Sequence, residues 1–431
     1  GRGEFADGQI YEHGGELIDN NHLDMKQLAQ ELGFTLDNLV QAETNGTEQL
    51  GYFFGQPYTF TQMTDDLKVI WQQIHSDITA AGYPTLYNSS TARGQVLDAM
   101  TIYQWIENYV PNGHRSALGQ MLDVAYNIEY GAETTDQAAL NLVYLLGYKA
   151  NPGNFSVFGA SDERYHIVGG NERLPQAIAA DLTGRGTSIR TGWRMSAIAR
   201  QKDGTYALTF AGVKAPVVAD QVVLALPFAV LRSLDYAKAG FDSRKNTAIQ
   251  ALGRGRNDKL QLQFNSRSWN STGPWPGISN GNTYADTGYQ NTWDVTRGQP
   301  GSSGILVDYT GGNVAGSFAP ATPYSDASSP PTADYARAFL GQLEPVLPGI
   351  TAQWNGKATL SVPALDSNLG CSYSYWRVGQ YTAFSGYEKQ RQGNVHFAGE
   401  HCSQDFQGFM EGGASEGVRA GGEILADLKF G

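Results

Sequence analysis

Three times the chain runs a short apolar stretch into glycine and then toward a helix. The stretches are EHGGELI near the start, ERYHIVGGNERLPQAIAADL at 163–182, and NVHFAGEHCSQDFQGFMEGGASEGVRAGGEIL at 394–425. Glycine at a strand end permits a tight turn, and it also lets a ligand lie against bare backbone. One such junction is an ordinary turn. Three in one pattern argue for an α/β protein that packs backbone against a bound molecule, and 52 glycines in 431 residues, against a usual share of about 7%, fit that reading.

The last junction is the richest. VHFA supplies a buried strand, Gly399 allows close approach, and Glu400 can accept hydrogen bonds from hydroxyls. From Met410 the spacing predicts a helix with Val418, Leu425 and Leu428 on one face. The free amides and dipole at its start favour an anion. A reduced flavin, negative along its N1 edge, is one such group. At the first junction, Gly14 and Gly15 could meet a ring, and Glu12 or Glu16 its polar groups.

Bulk properties exclude other classes. A net charge of −12 argues against a nucleic-acid surface, which needs clustered Lys and Arg. The longest apolar run, VVLALPFAVL at 222–231, is broken by Pro227 and falls short of the roughly 20 residues of a membrane span. His396, His401 and Cys402 match no usual zinc spacing, so no metal is expected. There is no Gly-x-Ser-x-Gly elbow and no phosphate-cradling loop.

Along the chain, HLDMKQLAQELGF reads as a helix with Leu23, Leu28 and Leu32 near one face, closed by Gly33. Residues 46–155 read as mostly helical, 187–227 as successive strands, and KLQLQF (259–264) and GILVDYT (304–310) as strands in a region rich in Ser, Thr, Asn, Trp and Tyr.

EHGGELI, RYHIVGGNERL, ADQVVLALPFAVL, KLQLQFNSRSW, SYSYWRVGQY and HFAGEHCSQDFQGFMEGG occur in the order found in flavin-containing amine oxidases, which the chain resembles over nearly its whole length. The resemblance implies an α/β architecture: a Rossmann-like FAD-binding domain (1–45, 156–240 and 385–431) interleaved with an α+β substrate-binding domain (46–155 and 241–384). It implies non-covalent FAD held by Gly14, Gly15, Glu16, Gly399, Glu400, Gly408, Phe409 and Met410. It also implies hydride transfer from the carbon beside an amine to flavin N5, imine hydrolysis, and reduction of O2 to hydrogen peroxide. Lys259, followed ten residues later by Trp269, matches the family's lysine beside N5. Phe409, with Tyr373, Tyr375 or Trp376 opposite, would form an aromatic cage for the substrate.

The sequence departs from the family at several points. The strand–GxGxxG–helix that seats the pyrophosphate does not precede EHGGELI, and the chain opens at GRGEF without Met. The expectation is a front portion removed, or supplied by a separate N-terminal polypeptide, or else a non-catalytic member of the fold. Cys371 lies near a position used for thioether attachment of FAD, and a Cys371–Cys402 disulfide is a competing use. An L-amino-acid substrate would need an arginine for its carboxylate. Soon after the first Gly-Gly the chain offers Asp19, Asn20, Asn21 and His22 instead, with Arg115 or Arg377 as substitutes elsewhere.

Overall fold

The computed structural model describes residues 1–148 and 156–430. An eight-stranded sheet organises it, in the spatial order Tyr324–Asp326, Trp354–Ser361, Asn257–Phe264, Gly304–Gly311, Asn291–Asp294, Ser279–Ala285, Glu48–Phe53 and Gln56–Thr59. All neighbours pair antiparallel except Ser279–Ala285 with Glu48–Phe53.

Register decides what each face of this sheet can do. Lys259 sits opposite both Ser361 and Tyr309, Tyr309 opposite Asn291, and Asn291 opposite Tyr284. Side chains alternate along a strand, so this row shares one face. The other face carries Leu260, Leu262, Phe264 and Leu306, which join Trp269, Phe339 and Leu343 in an apolar core. Every residue of Asn257–Phe264 is buried, so the strand is covered on both sides.

The polar face is covered partly by the helix Ala117–Tyr130, whose last turn lies directly on it. Gly311 permits this: a Cβ there would stand 2.4 Å from the Asn127 carbonyl oxygen and 2.8 Å from Ile128 Cα. Gly131, in the left-handed conformation at φ 65°, closes the helix. A Cβ on Gly131 would meet Asn257 Oδ1 at 2.1 Å. Residues 1–14 cover the rest without forming a strand. Gln263 holds the N–H and carbonyl of Ala6, Gln299 those of Ile10, and Gln261 the Glu12 carbonyl.

Two of the three glycine junctions form as strand, turn and helix; before the first Gly-Gly the chain forms no strand. Tyr165–Ile167 leads through Gly169 and Gly170 into the helix Arg173–Gly184, and Val395–Phe397 leads into Met410–Phe430. Val395–Phe397 and Val222–Leu224 pair in parallel, as a Rossmann-type portion requires, and Met195–Arg200 and Asp235–Lys238 do so as well. A four-stranded sheet of Val217–Ala219, Tyr206–Phe210, Met195–Arg200 and Asp235–Lys238 lies apart from the first pair.

Three expectations change. The 46–155 stretch opens not with helix but with the hairpin Glu48–Phe53/Gln56–Thr59. Its two-residue loop, Phe54 and Gly55 at φ 55° and 74°, is of a kind that usually advertises itself by Asn-Gly. Leu23 is 65% exposed, and the helix Leu23–Glu31 buries Met25 and Ala29 instead. Val418, Leu425 and Leu428 do share a face, but that face meets solvent. As for the domain boundaries, one core joins Trp105, Leu122 and Leu142 to Phe228, Phe397 and Cys402, and the division drawn at 155/156 falls at the edge of the described residues.

Candidate active site

The row Lys259, Tyr309, Asn291 and Tyr284 forms one wall of a cavity of about 490 Å³. Gly14, Gly15 and Glu16 form a second wall, and Gly408, Phe409, Met410 and Gly413 at the start of the closing helix form a third. Tyr373 and Glu400 also line it. The sheet therefore supplies side chains, while the glycine junctions supply bare backbone.

Lys259 is buried in this cavity. Its Nζ donates to Glu16 Oε2 at 2.9 Å and to the Gly14 carbonyl at 2.9 Å, and stands 5.3 Å from the Trp293 ring centroid. Trp293 Nε1 donates to Glu16 Oε1 at 3.0 Å. A buried lysine is tolerable only with such partners. The ion pair ties the sheet to the first Gly-Gly junction, and the Trp293 indole completes the carboxylate's contacts. Trp269, the tryptophan marked by spacing, lies in the apolar core on the other face, with Nε1 donating to Asp294 at 3.1 Å.

Glu400 is less free than its sequence suggests. It accepts from the Ser374 N–H at 3.0 Å, the Ser374 hydroxyl at 2.9 Å and the Gly408 N–H at 2.8 Å. Burial nonetheless leaves its carboxyl above the ordinary range. These bonds pin the 400–408 loop and so place the start of the closing helix. Glu12 is withdrawn from the cavity: its Oε1 accepts from His166 Nε2 at 2.9 Å and the Asn171 N–H at 2.7 Å. Burial would raise its carboxyl, but these bonds outweigh burial and hold it low.

The aromatic candidates separate because Tyr373 lies before the short strand Ser374–Tyr375 and the chain turns there. Tyr373 faces the cavity, its hydroxyl 2.8 Å from that of Tyr309 and donating to the Ile128 carbonyl at 3.0 Å. Tyr375, two residues on, is turned to a surface cleft beside Arg254 and Arg377, and bonds Asp136 at 2.5 Å. Trp376 lines a smaller cavity of about 140 Å³ with His22, Tyr83, Tyr144 and Tyr381. That cavity shares Asp19 and Phe409 with the larger one. Gly399 adopts φ 123° and stands behind the wall, not in it.

Sequence reasoning missed Trp293, Tyr284, Tyr309, Glu129 and Glu163, all of which line the cavity. Glu163 has φ 44°, a conformation that costs a non-glycine residue about 1–3 kcal/mol. Its N–H donates to Asp19 Oδ1 at 2.8 Å. His22 contacts Phe409 edge-on and, pushed down to about 4 by burial, stays neutral.

The cysteines form no bridge: both are buried free thiols. Burial pushes Cys371 up to about 12, with the Glu400 charge adding to it.

A sequence model described as flavin-containing amine oxidoreductase matches residues 2–425. The chain belongs to that family. Within the flavin-containing amine oxidoreductases it is similar to Polyamine oxidase 2 of Arabidopsis thaliana, 28% identical over 55% of this chain and 44% of that protein. It is also similar to Pseudooxynicotine dehydrogenase of a Pseudomonas species, 22% identical over 62% and 47%. The chain thus spans about half the length of the curated relatives it matches. In fold it is similar to cyclohexylamine oxidase from Brevibacterium oxydans, with a TM-score of 0.80 at 17% identity over 99% of this chain and 90% of that one.

The residues present fit the ring end of a flavin. Gly14 and Gly15 offer bare backbone, and a Cβ on Gly15 would stand 2.8 Å from Met410 Cγ and Sδ. Gly408, at φ 87°, turns the chain into the helix whose N-terminal end lines the cavity. No strand–GxGxxG–helix seat for the pyrophosphate occurs among the described residues.

Proposed function

We propose that this chain is a flavin-dependent oxidase of a small-molecule amine. The FAD would be held non-covalently by Gly14, Gly15, Glu16, Glu400, Gly408, Phe409 and Met410, with Gly399 setting the turn behind them. When bound, the flavin supplies the redox chemistry: it takes hydride at N5 from the carbon beside nitrogen, leaving an imine that water hydrolyses, and O2 takes the electrons as hydrogen peroxide.

The chain's own part is to orient the amine and keep water at a distance. Phe409 and Tyr373 would flank the alkyl chain. Lys259, fixed by Glu16 and Gly14, would hold a water or oxygen species in the cavity. The observation that carries this reading is the Lys259–Glu16 pair, buried in an aromatic cavity against bare glycine backbone in a chain of this family.

An amine is favoured over an amino acid. The cavity is lined by the carboxyl groups of Glu16, Asp19, Glu129, Glu163 and Glu400, with Lys259 as its cation. Arg377 is bound to Asp136 at the surface, Arg115 is exposed outside the cavity, and His22 is neutral.

The deciding experiment is the visible spectrum of the purified protein, expected to show a band near about 450 nm that an amine bleaches without oxygen. Peroxide release on readmitting air should then fall in Lys259→Met. Colourless protein that FAD cannot reconstitute would instead support a non-catalytic member, or one completed by a second polypeptide.

A further inference from the structure

Two carboxylates in the cavity have no task in the chemistry above. Glu129 is on the last turn of the helix Ala117–Tyr130, and Glu163 precedes the strand Tyr165–Ile167. Other cavity acids are occupied: Glu16 by Lys259 and Trp293, Glu400 by Ser374 and Gly408, and Asp19 by the Glu163 N–H and His22. The carboxylates of Glu129 and Glu163 have no hydrogen-bond or ion-pair partner among the described residues. Nearby cations are engaged, Lys259 with Glu16 and Arg297 with Glu43.

Both side chains are held there by costly local structure. Glu163 reaches the cavity from a left-handed backbone position, and Glu129 from a helix end pressed onto Gly311 with no room for a Cβ. Tyr284, Tyr309 and Tyr373 line the space with them. Acid groups in an aromatic-lined cavity with their counter-charges spent are neutralised either by protons or by a cation from outside.

We propose that Glu129 and Glu163 form a cation subsite for the second ammonium of a diamine or polyamine, so that the cavity selects dications over monoamines and amino acids. This rests on the amine-oxidase reading and names its substrate class. Burial raises Glu129 to about 8, with the charges of Glu163 and Asp19 adding to it. Burial raises Glu163 to about 7, with Asp19 and Glu16 adding and Arg297 and Lys259 opposing. The empty subsite therefore holds protons at neutral pH, and an arriving ammonium displaces them.

The test uses FAD-loaded protein with 1,4-diguanidinobutane and butylguanidine. A guanidinium keeps its charge and offers no nitrogen lone pair for oxidation, so binding is read without turnover. Calorimetry at pH 7 in two buffers of different ionisation enthalpy should show the dication binding tighter by about tenfold or more, with release of about one proton. Glu129→Gln and Glu163→Gln should each reduce both the preference and the proton release. Glu163→Asn, which suits the left-handed backbone, gives a second variant should Gln disturb the fold. Equal affinity for the two guanidines, or proton release unchanged in folded variants, overturns the proposal. Failure of every amine to bleach the flavin would instead overturn the oxidase reading, and the guanidine measurements stand apart from it.

Discussion

Replacing Glu16 by Gln tests the contact on which the cavity's geometry depends. The pair lies 2.9 Å apart, with side chains 8% and 6% exposed. At an effective dielectric of about 20 the attraction at that distance is about 6 kcal/mol, most of which offsets the cost of taking both charges out of water. The measurable quantity is what remains when one partner goes. A buried ammonium left with neutral acceptors alone, the Gln amide oxygen and the Gly14 carbonyl, beside the Trp293 face should cost up to about 3–5 kcal/mol. Lys259→Met, leaving the Glu16 carboxylate with the Trp293 N–H, should cost a similar amount. The double variant should recover part of the loss, because neither charge is then stranded. Chemical unfolding of the four proteins, followed by tryptophan fluorescence, closes the cycle. Single-variant costs below about 1 kcal/mol that simply add in the double variant would mean the pair is solvated, and the tether between sheet and glycine junction would be refuted.

Asp258 and Asp308 are buried on the sheet's other face, where both Asp258 oxygens and Asp308 Oδ1 have no hydrogen-bond partner among the described residues. Burial raises Asp258 to about 7, and burial with the Asp258 charge raises Asp308 well above its ordinary range. Their contribution is thus fullest below about pH 4, the unfolded range for Asp, and is lost as pH rises through about 7. Asp308→Asn should flatten that decline in unfolding measurements between pH 4 and 8. Gly311→Ala should cost about 1–3 kcal/mol or more, since the clash is with helix backbone and not a flexible tip, and should lower guanidine affinity by displacing Glu129. Native protein should resist thiol reagents at pH 7, with both cysteines labelled only after unfolding, and acid precipitation should leave any flavin in the supernatant.

What the sequence made legible, and what it hid, follows from the range of the interactions. The second and third glycine junctions and the Lys259 strand are local patterns, and they formed where spacing placed them, whereas the first Gly-Gly follows chain without a strand. Tyr373 and Tyr375 show the limit: two tyrosines in one short run look equivalent until the backbone turns one to the cavity and the other to Asp136. Glu129 and Glu163 gave no local signal. Glu129 lies on the last turn of the helix Ala117–Tyr130 and reads as surface charge, and its role depends on Gly311, far along the chain. Trp293 lost its place to Trp269 because the family spacing counts residues along the chain, whereas the Lys259 neighbour is set by cross-strand register.

The opening fourteen residues behave as a threaded cord: Gln263, Gln299 and Gln261 grip it at successive points, and its far end delivers the Gly14 carbonyl to Lys259. Those grips seize main chain, while between them Phe5 and Tyr11 are buried in a small core and the side chains of Gln9, Glu12 and His13 bond Ser303, His166 and Ser361. Its composition is therefore constrained at those positions, and its length throughout. One residue added or deleted between Ile10 and Gly14 would carry the anchoring oxygen past the ammonium, and a change many would dismiss as loop variation would retune the centre of the molecule.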